Sequence, residues 1–192
     1  VHARVWQKPG PLSADEWETL LKRLLNDHGA VDQYLYLQVT RGPAPRDHAF
    51  PREVHQTVMA YSQPLTTPDA ATLARGVGAI TVHDIRWSRC DIKSIALLGN
   101  ILMRQQATEA GAAEAILLRD GFMTEGSASN IFIVQDGHLI TPPKGPQLLP
   151  GITRDLVLEI ARAHDLPCEE RVVSEAELRA ADEIWLTSST RE

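Results

Sequence analysis

Asn130-Ile-Phe-Ile-Val-Gln-Asp-Gly-His-Leu-Ile-Thr141 decides the fold class. Two short apolar runs, 130–135 and 138–141, flank Asp136-Gly137, a dipeptide that tolerates the positive φ angles of a two-residue hairpin turn. The spacing predicts two antiparallel strands. Upstream, Glu114-Ala-Ile-Leu-Leu-Arg119 reads as a further strand. Before it, residues 94–110 carry Ile95, Leu98, Ile101, Leu102 and Met103 at the spacing of one helical face and stop at Gly111, which predicts a helix packed on that face. Downstream, Gly151-Ile-Thr153 opens a helix to about His164, with Leu156, Val157 and Ile160 as its inner face, until Leu166-Pro167 breaks it. Strands at 171–173 and 183–187 around a short helix at 174–181 complete that end.

Toward the start, Ser13 with Glu16 three residues on forms a capping box for a helix to about His28 and Gly29. Residues 34–41 read as a strand ending in a stiff loop, 42–51, with three prolines. Residues 55–61 and 78–84 are further strand candidates, joined by an irregular Pro- and Thr-rich connection. Strands grouped in hairpins, not alternating strictly with helices, make the class α+β with a mixed or antiparallel sheet.

The 192 residues are long enough for one domain or two small lobes. Nineteen Lys+Arg against 25 Asp+Glu give a net charge of −6, so no nucleic acid or anionic lipid partner is expected. No stretch approaches the roughly 18 apolar residues of a membrane span and no signal-peptide pattern opens the chain, so a cytoplasmic location is expected. Cys90 and Cys168 are too few for a disulfide framework and lack metal-site spacing, so no metal is expected. The first residue is Val1, which marks a processed chain or a fragment.

Five segments hold residues with chemistry. Only Lys8, Lys22, Lys93 and Lys144 are lysines, and Lys93 lies among Ile92, Ile95 and Leu97. A desolvated lysine amine can attack a carbonyl, whereas a solvent-facing one stays an inert ammonium. Thr124-Glu125-Gly-Ser-Ala-Ser-Asn130 joins a carboxylate to small polar residues that allow close backbone approach, though such a run also serves as a plain turn. Pro150-Gly-Ile152-Thr153-Arg154 puts free N–H groups and a hydroxyl at a helix start, an anion cradle or simply a cap. Thr187-Ser188-Ser189-Thr190 offers more hydroxyls. Arg46 and His48, in the stiff loop, could grip a carboxylate or merely be solvated.

Together these segments resemble the fold-type IV pyridoxal-phosphate (PLP) enzymes, the class of D-amino-acid and branched-chain aminotransferases and aminodeoxychorismate lyase. The resemblance spans 34–192 and is carried by Leu37-Gln-Val-Thr-Arg-Gly42, Pro45-Arg-Asp-His-Ala-Phe-Pro51, Asp84-Ile-Arg-Trp87, Cys90-Asp-Ile-Lys-Ser94, Leu97-Leu-Gly-Asn100, Thr124-Glu-Gly-Ser127, Ser129-Asn130, Gly151-Ile-Thr-Arg-Asp155 and Thr187-Ser188. The Pro-Arg-x-His and Cys-Asp-Ile-Lys segments look most like the D-amino-acid aminotransferases. The resemblance implies a barrel-like sheet lobe with packed helices, pyridoxal 5'-phosphate as cofactor, and transamination between a D-amino acid such as D-alanine and a 2-oxo acid such as 2-oxoglutarate. It implies Lys93 as the Schiff-base lysine and proton shuttle, Glu125 at the pyridine nitrogen, and Leu149 against the ring. Ile152, Thr153, Ser188 and Ser189 match the phosphate site. Arg46 and His48 match the pair that holds the substrate carboxylate across a homodimer.

Departures from the family are Ala128, where serine is frequent, and Ser189, where threonine is frequent. No match precedes Tyr34, and relatives continue past Glu192. The chain is therefore expected to be truncated at both ends, with 1–63 a remnant of the N-terminal small lobe plus the carboxylate loop, and 64–192 the PLP-binding lobe without its C-terminal strand. The rival readings are aminodeoxychorismate lysis or branched-chain transfer on the same cofactor, and a catalytically silent module.

Overall fold

Ser13 accepts from Glu16 N while the Glu16 carboxylate accepts from Ser13 N at 2.7 Å, the expected capping box. It starts α1 (Ala14–Leu25) in a computed structural model that describes residues 10–26, 29 and 31–190. The helix ends at Leu25, before the expected stop, and His28 lies outside the described residues. The structure divides into two compact units between Thr67 and Pro68.

In the first unit β1 (Gln33–Thr40) pairs antiparallel with β2 (Thr57–Pro64). Tyr36 and Tyr61, directly opposite in register, stack with ring centroids 5.0 Å apart. Ser62 Oγ donates to Leu24 O at 2.9 Å and ties the hairpin to α1.

The second unit contains α2 (Ala70–Arg75), β3 (Ala79–His83), α3 (Leu98–Glu109), β4 (Glu114–Arg119), β5 (Phe122–Gly126), β6 (Asn130–Gln135), β7 (His138–Thr141), α4 (Ile152–Ala163), β8 (Cys168–Glu170), α5 (Glu175–Ala180) and β9 (Glu183–Thr187). One sheet runs β3-β4-β5, with β3 parallel to β4; the other runs β8-β7-β6-β9, with β8 parallel to β7. The α+β class with mixed and antiparallel sheets is as expected. So is the β6–β7 turn, where Asp136 and Gly137 take φ of 50° and 75°.

Alternation along the strands builds the layers. On β4, Ala115 and Leu117 pack with Met103 and Ala107 of α3, while Ile116 and Leu118 join Met123, Ile131, Ile133 and Ile140 between the sheets. Phe132, on the other face of β6, packs with Leu139, Leu158 and Ala161 against α4. The apolar runs 115–118 and 131–133 are continuous because these strands are covered on both faces.

Several expectations need correction. The α3 helix starts at Leu98, not 94, because residues 90–97 form an irregular segment whose Cys90 N–H is drawn to Pro146 O at 2.7 Å. It buries Met103 and Ala107, four residues apart, and leaves Leu98, Ile101 and Leu102 exposed. The inner face of α4 is Arg154, Leu158 and Ala161; Leu156 and Ile160 stay about half exposed. The irregular connection hides α2, capped by Asp69, whose carboxylate accepts from Thr72 N at 2.7 Å. The strand expected at 171–173 forms at Cys168–Glu170, where Leu139 N bonds Pro167 O and brings this segment beside β7. β5 is a strand that the sequence pattern does not announce; Asp120-Gly121, with φ of 54° and 82°, turns the chain back from β4.

Two neighbouring α4 leucines separate the sequence expectation from the structure. Leu158→Ala should cost about 2–5 kcal/mol in denaturant unfolding, as for a fully buried leucine, and Leu156→Ala about 0.5 kcal/mol.

Candidate active site

Glu125 is aimed by an irregularity in β5. Ile116 pairs with Gly126 and Leu118 with Met123, so one extra residue of β5 stands opposite Leu117. Strict alternation would send Thr124 and Glu125 to opposite faces; this bulge lets both reach Arg86. Thr124 Oγ1 lies 3.1 Å from Asp84 Oδ2 and 3.4 Å from an Arg86 nitrogen, and the Glu125 carboxylate pairs directly with Arg86.

Arg86 is the hub. Its Nε and one terminal nitrogen donate to the two Asp84 oxygens, both at 2.9 Å, in a bidentate grip. The same group donates to Gln147 O at 3.0 Å, reaching the loop 142–150. Arg119 adds a contact to Asp84 at 2.9 Å. Burial drives the Asp84 carboxyl upward, but the hydrogen bonds and charge of Arg86, helped by Arg119, bring it below the usual carboxylate range. Glu125 shows the opposite balance. Burial outweighs Arg86 and the Leu149 N–H, and its carboxyl is pushed up to about 7.

The second Glu125 oxygen accepts from Asn130 Nδ2 at 3.2 Å and Leu149 N at 3.1 Å. Leu149 leads into α4, whose N-cap is Gly151 with no side-chain cap. The first-turn N–H groups there are uncapped donors at the positive end of the helix dipole. Thr153 Oγ1 donates to Ser188 O at 3.1 Å, which joins this helix start to the end of β9. Thr187, opposite Asn130 in the β6–β9 register and so on the same sheet face, has a buried hydroxyl with no hydrogen-bond partner.

The small-residue segment after Glu125 is held from beneath by Glu114. Its buried carboxylate accepts from Ser127 N at 3.2 Å, Ser127 Oγ, Ser129 Oγ at 2.9 Å and Ala115 N at 2.8 Å, with Arg104 at 3.4 Å. Asn100 Nδ2 donates to Ser127 O at 2.8 Å. A Cβ on Gly126 would stand 2.2 Å from Ser129 Oγ, so a larger residue there would displace the hydroxyl that donates to Glu114.

Of the residues singled out in the sequence, the structure brings together Glu125 with Leu149, and Thr153 with Ser188. Ile152 and Ser189 are exposed beside them in the chain. Lys93 is exposed on the 90–97 segment, which Cys90 N and Pro146 O tie to the loop 142–150. Arg46 and His48 belong to the first unit, both exposed on the loop between β1 and β2. That loop is shaped by Gly42, at φ 88° with no room for a Cβ beside His55 O, and by the Arg41 guanidinium 3.6 Å over the Phe50 ring. Arg86 and Asn130 lie within motifs to which sequence reasoning gives no separate role, and it misses Glu114 and Arg119. The Asp84-x-Arg86 spacing after a strand is the one available signal.

The sequence as a whole matches the amino-transferase class IV model over residues 3–192, and the chain belongs to that family. The match takes in the segment before Tyr34, which motif reading alone leaves out. The D-alanine aminotransferase of Bacillus licheniformis is 41% identical over 196 residues, covering 99% of this chain and 69% of that protein. That of Staphylococcus epidermidis is 41% identical over 179 residues, covering 93% of this chain and 63% of that protein. This chain thus spans about two thirds of the length of these relatives. A hypothetical aminotransferase of Mycobacterium tuberculosis, solved in its PLP-bound form, has a TM-score of 0.79 at 25% identity, covering 98% of this chain and 68% of that one.

Glu125 should govern a pH component of stability. A folded-state pKa near 7 against an ordinary 4.5 means that the folded chain keeps a proton the unfolded chain has lost. This stability is fully present below about pH 4.5 and is lost as pH rises through 7, by about 3 kcal/mol in all. Unfolding free energies from pH 4.5 to 8 for the wild type and Glu125→Gln should differ by that falling component.

Proposed function

We propose that this chain carries the cofactor site of a PLP-dependent aminotransferase that moves an amino group between a D-amino acid, such as D-alanine, and a 2-oxo acid, such as 2-oxoglutarate. One observation carries the reading: a buried carboxylate and an uncapped helix start are joined through Leu149 in a single site. The two ends suit the two ends of PLP, a ring nitrogen and a phosphate.

The residues present fit that group. Gly151, the uncapped Ile152 and Thr153 amides and the unpartnered Thr187 hydroxyl form a donor set for a phosphate, to which Ser188 and Ser189 add hydroxyls. Glu125 would face the ring nitrogen, Leu149 would pack on the ring, and Lys93 would anchor the aldehyde. When bound, PLP supplies an electron sink for the charge left at the substrate carbon on deprotonation.

The chain's own groups do the rest. A protonated ring nitrogen opposite Glu125 favours the carboxylate form, and the charge of Glu125 in turn keeps that proton in place. Arg86 stops Glu125 from turning away, because its other donors are committed to Asp84 and Gln147 O. Lys93 Nζ takes and returns the proton at the substrate carbon. Arg46 and His48 bind the substrate carboxylate, in a homodimer where the loop serves the neighbouring subunit's site. Among the described residues no helix is long and apolar enough to cross a membrane; the location that belongs to this reading is the cytoplasm. The D-alanine aminotransferase relatives favour D-amino acids over branched-chain transfer or aminodeoxychorismate lysis.

The PLP-loaded chain should form pyruvate from D-alanine with 2-oxoglutarate and not from L-alanine, read by a lactate dehydrogenase coupled assay. Lys93→Ala should lower kcat by about a thousandfold or more. Arg46→Ala should raise KM for D-alanine about tenfold with a smaller change in kcat. Aminobenzoate release from aminodeoxychorismate without transamination would contradict the reading.

A further inference from the structure

Asn130, the first residue of β6, is 7% exposed and has no role in the chemistry above. Its amide nitrogen has two partners. Nδ2 donates one N–H toward Glu125 Oε2 at 3.2 Å and the other to Leu149 O at 2.9 Å. Since Leu149 N donates to the same Glu125 oxygen at 3.1 Å, Asn130, Glu125 and Leu149 close a small hydrogen-bonded ring. On the other side, Oδ1 packs so tightly over Gly151 that a Cβ there would lie 2.2 Å away. One side chain therefore touches both the buried carboxylate and the residue that opens α4.

The first turn of α4 is also tied down by Thr153 Oγ1 to Ser188 O at 3.1 Å and by the buried Arg154 to Pro142 O and Glu170, both at 2.7 Å, but neither of these reaches Glu125. Pro150 has no N–H to donate, and the helix start has no side-chain cap. Aspartate at this position would set an anion against Glu125 and Leu149 O. An aliphatic residue would leave the Leu149 carbonyl unpartnered.

We propose that Asn130 is a positioning residue that sets the α4 helix start at a fixed distance from the Glu125 carboxylate, so that a ligand with a ring nitrogen at one end and a phosphate at the other is gripped at both ends together. This rests on the cofactor reading above. The residue acts through register between two subsites and makes no contact with reacting atoms.

The test compares two probes on the 192-residue chain, PLP and pyridoxal, which share the ring and differ in the phosphate. Dissociation constants are measured by absorbance titration for the wild type, Asn130→Ala, Asn130→Ser and the packing control Leu158→Ala, with folding checked by circular dichroism. The ratio of the pyridoxal to the PLP constant measures what the phosphate gains. Asn130→Ala should lower that ratio about tenfold, and Leu158→Ala should leave it unchanged. Asn130→Ser, which keeps a small polar group, reads the same ratio if the alanine variant does not fold. In the cofactor-free chain, the 13C titration midpoint of the Glu125 carboxyl should move up when the Asn130 donor is removed. An unaltered ratio in a folded Asn130 variant, or an unmoved Glu125 midpoint, overturns the positioning role and leaves the cofactor reading standing. A wild-type chain that binds neither probe overturns the cofactor reading, and the two-ended grip with it.

Discussion

The buried chain of charges Arg119–Asp84–Arg86–Glu125 is the constraint on which the second unit depends. The end of β3, the bulge of β5 and the loop 142–150 meet at the Arg86 guanidinium, and the end of β4 joins them through Arg119 at Asp84. Arg86 and Asp84 have side chains 5% and 0% exposed, so their charges are compensated by each other and by the backbone, with little help from water. Such a cluster adds little net stability over a well-packed apolar one, but removal of Arg86 would take from Asp84 and Glu125 the cation they share. Its consequence is geometric. Glu125 can point in only one direction.

That fixed direction comes with electrostatic strain. A carboxyl pushed up to about 7 sits beside a helix start without a side-chain cap and a buried hydroxyl without a partner. Each of these works against folding, and together they form the set of groups that the proposed cofactor would satisfy at its cationic and anionic ends. A ligand bound only by the folded state would offset them by mass action. Glu114 and Asn100 have the complementary task of keeping the Gly126–Asn130 segment rigid beneath that set.

Much of this was legible in the sequence, for physical reasons. The strands 114–119, 130–135, 138–141 and 183–187 were readable because their apolar runs end at strong turn or polar signals, and the Asp136-Gly137 turn fixes its own geometry. α4 was readable from Gly151 and Leu166-Pro167. Its inner face was not, because the residue that packs deepest is the fully buried Arg154, held by Pro142 O and Glu170, and a hydrophobicity pattern places arginine outside. The apolar stripe of α3 misled in the same way, since periodicity reports which side is apolar and not what covers it. Glu125 was found through its motif. Its setting was not, because a bulge breaks the two-residue period and Arg86 lies 39 residues away in sequence. Lys93, Arg46 and His48 were legible as reactive or carboxylate-binding residue types, but their roles came from motif resemblance, and all three are exposed in the structure.

The central claim is that one cofactor, anchored at Lys93, joins Glu125 to the α4 helix start. The most direct measurement is borohydride reduction of the PLP-incubated chain followed by peptide mass mapping. The account predicts a single phosphopyridoxyl label on Lys93, lost in competition with excess phosphate at the α4 start and weakened in Glu125→Gln. A label spread evenly over Lys8, Lys22, Lys93 and Lys144, indifferent to phosphate and to Glu125, would contradict it.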